Sequence, residues 1–314
     1  FICEKERGAL MKVVYGHTDS IYVQMPIERT EETLALLNNH VRGLFPNLLG
    51  LKEHPVTLEF EKYYESLGVG VTKNRNAGLI SWKDGETLDE PEFVMTGFAA
   101  KRVAITQLAK SIQLEVLKRW VSQESEKEIT DFLKEEYHRV LKGNIDIKDI
   151  SNRSRFRPER FIYKCASCSR EYQLEEILDL RQKFSANTFC LKCGKDLILK
   201  TLMGKQPSVG GGIEGVLWWN QTYGIPIDDS YMYVRAADDV TRPKYINPVS
   251  GQHKRPTYLA APSLIDLNNI KFTPDYRHYA ESIVKKAEPI YKAMGWDLAP
   301  ISVDINQTNL TEWW

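Results

Sequence analysis

Tyr15-Gly16-His17-Thr18-Asp19-Ser20 is the stretch on which the reading of this chain turns. An apolar run, Met11 to Val14, leads into it, and a second, Ile21-Tyr22-Val23, leads out. Two short apolar runs around a polar break with a glycine predict a tight β-hairpin whose tip carries a carboxylate. Alternate side chains of extended backbone share a face, so residues 17 and 19 project together.

The composition bounds what can be built around that hairpin. The chain has 314 residues, 42% hydrophobic and 27% charged, enough for one large or two modest globular domains. No apolar run approaches the ~18 residues needed to span a bilayer. Lys plus Arg and Asp plus Glu both total 42, so any nucleic-acid contact must rest on local positive charge. No signal peptide is visible and the chain opens on Phe1, just ahead of the hairpin, which reads as a fragment or the second piece of a split enzyme. Four of the five cysteines form two close pairs; without a secretion signal this argues for metal, a reducing compartment and a cytoplasmic setting.

Along the chain, residues 30–44 (TEETLALLNNHVRGL) space Leu34, Leu36, Leu37 and Val41 as a helix, with acids in the first turn. Residues 56–82 alternate like strands, broken by Gly68 and Gly78, and 93–97 reads as another short strand. Long helical patterns occupy 98–142, and a basic stretch follows at 151–160 (SNRSRFRPER). Residues 205–262, rich in Gly, Pro, Trp and Tyr, read as irregular with short strands; Gly210-Gly211-Gly212 lacks the Lys-Ser/Thr of a phosphate loop and reads as a turn. A last helix is predicted at 276–295, with Pro289 a candidate kink.

Cys165-x2-Cys168 and Cys190-x2-Cys193 form two knuckles, the second followed by Gly194. Four thiolates can close a tetrahedral zinc site with no open position, so the metal is expected to be structural. It would brace a segment with little core of its own. The bland alternative is a set of buried free thiols. The 21-residue gap between the pairs is expected to hold a hairpin, giving a zinc ribbon at about 161–200. Cys3 has no such partner and reads as core.

YGHTDS resembles the YGDTDS motif of family B DNA polymerases, and other segments resemble that family in the same order. LEFEKYY at 58–64 resembles its LEYEKxY strand, and TKNRNAGL at 72–79 its TKKRYAGL segment, which tracks the primer–template minor groove. Lys73 and Arg75 match the latter, while Asn74 and Asn76 replace a lysine and a tyrosine. Residues 97–117 resemble the start of the thumb, matching at Arg102, Ala109, Lys110, Gln113, Val116 and Leu117 but departing at Ala99, Val103 and Ala104. Residues 275–295 resemble the last thumb helix. The likeness is closest to archaeal members. The family's other palm aspartate motif (DxxSLYP), its finger helix (KxxxNSxYG) and its exonuclease domain do not occur here. The resemblance therefore implies an α+β fold: a C-terminal palm edge over 1–96, then a mainly helical thumb over 97–314 with the zinc ribbon inserted. The remaining N-terminal part would be a separate chain or removed.

The resemblance also implies the chemistry. A primer 3′-hydroxyl attacks the α-phosphorus of a dNTP in line, and two magnesium ions about 3.5–4 Å apart stabilise the attacking and leaving oxygens. Asp19 would be a metal ligand and Glu61 a supporting acid, the plain alternative for Glu61 being an exposed strand acid. His17 stands where the family has an aspartate. A neutral imidazole is a poor magnesium ligand and a protonated one repels the ion, so His17 reads as a tolerated change, a loss of activity or an engineered substitution. Lys73, Arg75, Arg102, Lys110, Arg153 and Arg155 are candidate phosphate contacts, since duplex of any sequence is held by neutralising phosphates; otherwise they are solvated charges. Gln307, Leu310, Trp313 and Trp314 fit QxxLxxWW, which resembles the motif that docks on PCNA-type sliding clamps, with one helical turn presenting the apolar residues to a groove. The plain alternative is that the tryptophans pack back on the chain.

Three readings follow: a working polymerase portion, a non-catalytic relative that binds DNA and the clamp as a scaffold, and a stand-alone zinc-dependent DNA-binding module. The third leaves YGHTDS and LEFEKYY unexplained.

Overall fold

A computed structural model describes residues 12–16, 20–72, 74–98, 105–157, 159, 162–184, 189–195, 199–201, 212–227, 229–247 and 252–303. In chain order these give β1 (Lys12–Gly16), β2 (Ile21–Gln24), α1 (Thr30–Leu44), β3 (Lys62–Val69), β4 (Asn76–Lys83), β5 (Glu86–Thr96), α2 (Gln107–Val121), α3 (Glu126–Leu141) and the single turn α4 (Ile147–Ile150). They continue with β6 (Asn152–Arg155), β7 (Ile162–Cys165), β8 (Glu171–Gln173), α5 (Leu174–Phe184), β9 (Leu199–Thr201), α6 (Gly212–Tyr223), β10 (Ser230–Arg235), β11 (Tyr245–Ile246), β12 (His253–Lys254), β13 (Tyr258–Ala261), α7 (Leu264–Asn269) and α8 (Tyr276–Met294). This is the expected mixture of helices and small antiparallel sheets. Two compact units emerge: Phe1–Lys101 with Leu114–Asp131 and Ala287–Leu298, and Arg102–Gln113 with Phe132–Lys286 and Ala299–Trp314.

In the first unit β1 and β2 pair antiparallel, from Lys12↔Gln24 to Gly16↔Ile21. A separate antiparallel meander runs β3-β4-β5. Its central strand β4 buries Ala77 and Ile80 almost completely, and Phe60 stacks on Trp82 with ring centres 4.3 Å apart. The β4–β5 connection is Asp84-Gly85 with φ of 53° and 94°, the left-handed pair that a two-residue hairpin turn requires. β5 runs from Glu86, far earlier than the strand expected at 93–97. Asp89, Glu90, Pro91 and Glu92 hide it in the sequence: they sit on an exposed edge where the register shifts between Ile80 and Trp82, and an edge strand tolerates charge and proline that a central one does not. Helix α1 spans the predicted residues, and the Asn38 amide grips both backbone groups of Leu58 at 2.7 and 2.9 Å. The Tyr291 hydroxyl lies 2.7 Å from that of Thr130 among buried helix residues. Helix α8 ends at Met294 and is followed by Gly295, whose φ is 72°, with Trp296 N–H returning to the Tyr291 carbonyl at 2.9 Å, a left-handed glycine cap.

In the second unit a three-stranded sheet has the order β13-β10-β6. Helix α6 lies against it, with Gly215 close to the backbone of Tyr258 and Ala260. This helix replaces the irregular structure expected over part of 205–262. Its aromatic residues have modest helix propensity, but Val216, Leu217, Trp218 and Trp219 are all buried, so packing decides. Gly212 opens α6, while Gly210 and Gly211 lie outside the described residues. The small sheet β8-β7-β9 carries the cysteines. Between the two pairs stand β8 and the eleven-residue helix α5 instead of the expected hairpin. Leu174, Ile177 and Leu180 are buried at helical spacing, Glu175 and Glu176 stand in the first turn, and Glu176 accepts the Gln173 N–H at 2.8 Å.

Candidate metal centre and nucleic-acid face

The hairpin is tied to the meander by rings. Tyr15 and Tyr22 lie 5.3 Å apart, and Tyr22 and Tyr64 of β3 lie 5.9 Å apart. Burial first, then the neighbouring Tyr22, pushes the Tyr64 hydroxyl up to about 12. The Tyr15 hydroxyl meets Asn74 twice: it accepts the Asn74 backbone N–H at 3.2 Å and donates to Asn74 Oδ1 at 3.3 Å. The stretches YGHTDS and TKNRNAGL are thereby joined across 59 positions of sequence. His17 and Asp19 lie outside the described residues. Glu61 is exposed just ahead of β3, with its carboxylate 2.5 Å from Lys62 Nζ.

Of the candidate phosphate contacts, Lys73 and Arg102 lie outside the described residues. Arg75 is half-buried, its stem beside Gly70 and Gly97. Lys110 is half-buried in the first turns of α2. Arg153 and Arg155 alternate with half-buried Asn152 and Ser154 along β6, so both guanidinium groups stand on the exposed side of a sheet edge. Arg153 Nη2 donates to Ser230 Oγ at 3.0 Å. The tail residues Gln307, Leu310, Trp313 and Trp314 lie outside the described residues.

Cys165, Cys168, Cys190 and Cys193 converge, with all four sulfurs within 4.8 Å of one another. Two local turns produce this. In the first, Ser169 N–H donates to the Cys165 carbonyl at 3.0 Å and Cys165 N–H to the Arg170 carbonyl at 2.9 Å. In the second, Gly194 and Lys195 take the places of Ser169 and Arg170, with both bonds at 2.8 Å. Ser169 and Gly194 both adopt left-handed backbone, φ 59° and 68°. The two knuckles are position-for-position copies that face each other. Tetrahedral zinc at about 2.3 Å from each sulfur sets sulfurs about 3.8 Å apart, a spacing this cluster accommodates, and an all-thiolate donor set favours a soft metal.

The sequence reading missed one member of the site. Tyr172, in β8, is 1% exposed, and its hydroxyl lies 3.0 Å from Cys190 Sγ while accepting the Leu191 N–H at 3.0 Å. Burial opposes ionisation of Cys190, but the Tyr172 hydroxyl and the N–H groups of Cys193 and Lys192 outweigh it and bring the thiol down to about 6. The only sequence signal for Tyr172 is its place four residues after Cys168, on the inward-facing beat of a three-residue strand.

Among the described residues no helix is long and apolar enough to cross a membrane. Residues 2–170, more than half of the chain, match DNA polymerase family B. A DNA polymerase from Archaeoglobus fulgidus is 26% identical over 140 residues, which is 44% of this chain and 15% of that protein. The chain thus matches only a small part of the length of this curated relative.

Proposed function

The chain belongs to DNA polymerase family B, and from that premise we propose that residues 1–96 are the C-terminal part of a polymerase palm and 97–314 a thumb. Together with the N-terminal remainder, as a separate chain or a removed part, they carry out DNA-directed DNA synthesis. The observation that supports this reading is the antiparallel pairing of β1 with β2, the strands that flank residues 17–19 in the sequence, with Tyr22 of β2 5.9 Å from Tyr64, the last residue of LEFEKYY.

In this reading Asp19 would offer a hard carboxylate to magnesium, and Glu61 would support the site. When bound, the ions stabilise the attacking and leaving oxygens of nucleotidyl transfer. His17 supplies no charge to the metal. Lys73, Arg75, Arg102, Lys110, Arg153 and Arg155 neutralise the phosphates of primer–template DNA without reading its sequence. The four cysteines hold a structural zinc that braces the ribbon. Residues 307–314 dock on a PCNA-type sliding clamp through Leu310, Trp313 and Trp314, with Gln307 bonding beside them.

Primer extension by the chain combined with its N-terminal part tests this. Extension with native His17 that is abolished in Asp19→Ala establishes a working polymerase. One observation favours a second reading, a DNA- and clamp-binding scaffold: His17 stands at a position where the resemblance calls for a carboxylate. Silence in both native protein and His17→Asp selects the scaffold; recovery in His17→Asp alone selects an intact site with one ligand lost.

A further inference from the structure

Asn74 is built into the fold in a way that its exposed position disguises. Its φ is 60°, left-handed backbone that asparagine tolerates better than most residues. In that turn its N–H and its side-chain oxygen both reach the one hydroxyl of Tyr15, at 3.2 and 3.3 Å. On its other side stands Gly97, φ 75°, where a Cβ would lie 1.8 Å from the Asn74 carbonyl oxygen. The loop is closed by Gly70 N–H donating to the Arg75 carbonyl at 2.8 Å. Tyr15 is in turn held by the ring of Tyr22, and Tyr22 by that of Tyr64. The β1–β2 pair is otherwise a separate two-stranded sheet, a kind of element with little stability of its own.

We infer that Asn74 is a positioning residue: with Tyr15 it latches the β3–β4 loop to the β1–β2 pair, between whose strands Asp19 falls in the sequence, so that this pair and a phosphate held at Arg75 move as one piece. The inference rests on the polymerase reading of the hairpin. It also accounts for a departure from that family's pattern. A lysine at residue 74 would offer a free charge to DNA; asparagine gives that up and spends its side chain inside the protein.

Two measurements test it. The first is hydrogen–deuterium exchange of the chain alone, free of DNA and nucleotide, followed in the peptide covering 12–24. Tyr15→Phe and Asn74→Gly, which keep ring packing and left-handed backbone respectively, are expected to speed exchange there at least about fivefold and to leave α2, α3 and α8 unchanged. Asn74→Asp, which keeps an acceptor at the same place, restores native protection. The second is primer extension with the N-terminal part present. Tyr15→Phe is expected to lower kcat about tenfold and to raise the magnesium concentration for half-maximal rate, with duplex affinity within about twofold of native, as displacement of a reacting group by an ångström would do. Asn74→Lys is expected to bind duplex more tightly yet lose hairpin protection. Native exchange rates in both Tyr15→Phe and Asn74→Gly, or native kcat in Tyr15→Phe, overturn the inference. Asp19→Ala separates the levels: if that variant still extends primers, the polymerase reading of the hairpin fails; if it is dead while Tyr15→Phe works normally, only the latch fails.

Discussion

The Tyr172 hydroxyl stands between Leu191 N–H and Cys190 Sγ, 3.0 Å from each. Because it accepts from the amide, its own proton is free to face the sulfur. It therefore supports the charged form of one thiolate and fixes the orientation of the second knuckle in the same contact. Groups that orient a metal ligand in this way typically change metal affinity by 10–100-fold when removed. Tyr172→Phe keeps the ring that fills the space beneath Arg170, whose guanidinium lies 5.0 Å above it. The expected outcome is about tenfold weaker zinc retention in competition with a chromophoric chelator, with the thermal midpoint of the zinc-loaded protein little changed. Unchanged retention would reduce Tyr172 to a packing residue.

If the four cysteines hold the proposed zinc, its loss is expected to act locally. The strands of the cysteine-bearing sheet are three or four residues long, too short to stand without a staple. Cys193→Ser, or chelation, should abolish protection of residues 162–180 from proteolysis while leaving the meander β3-β4-β5 intact. Global unfolding at the same chelator concentration would contradict a merely local brace.

Gly97 makes a sharper test of the first unit. It combines φ 75° with a backbone oxygen where a Cβ would be. Gly97→Ala therefore meets both a left-handed strain of about 1 kcal/mol and a collision that only movement of the Asn74 loop relieves. A destabilisation of about 2–4 kcal/mol is expected, read as a fall in Tm of several degrees. A change below about 0.5 kcal/mol would mean that the Asn74 loop is free to move away from Gly97.

The sequence announced what depends on near neighbours. Helix α1 was legible because Leu34, Leu37 and Val41 recur at helical spacing, and the knuckles because two Cys-x2-Cys pairs leave few other uses. Three elements were hidden, each for its own reason. β5 carries its acids and proline on an exposed edge, α6 is buried on so many sides that it shows no amphipathic period, and α5 was masked by the expectation that a gap between cysteine pairs holds a hairpin. The contacts of Tyr15 with Asn74 and of Tyr172 with Cys190 join residues 59 and 18 positions apart. No local pattern encodes such pairs; they exist only once strands have chosen their partners.

His278 sets a pH dependence in the second unit. Burial first, then the nearby Arg235 guanidinium, lowers its pKa from the ordinary 6.5, with Asp275 acting the other way. The backbone N–H of His278, not the ring, donates to Asp275 Oδ1 at 3.0 Å. The unfolded chain therefore takes up the proton first as pH falls. Stability is full above about pH 6.5 and declines as pH drops below it toward the folded value. His278→Gln, which cannot take up a proton, is expected to flatten this acid-side loss of Tm between pH 6.5 and 5 relative to native protein. Parallel pH profiles for the two proteins would assign the acid sensitivity to other groups.

Arg153 and Arg155 carry the clearest electrostatic prediction. Both project from the exposed side of β6, and Arg153 is pinned by Ser230 Oγ, which lowers the cost of ordering it on a phosphate. Each phosphate neutralised releases condensed counterions, so log affinity falls with log salt by about 0.9 per contact on duplex. If both residues touch the backbone, Arg153→Gln and Arg155→Gln each lower duplex affinity without regard to sequence and each reduce the salt slope by about 1. The double variant should lose about 2, because the contacts fall on separate phosphates. Fluorescence anisotropy of the chain with an unrelated pair of duplexes over a series of salt concentrations reads this directly. Weaker binding with an unchanged slope would mean that the substitutions disturbed the sheet edge without removing an ionic contact, and an unchanged affinity would move the nucleic-acid face away from β6.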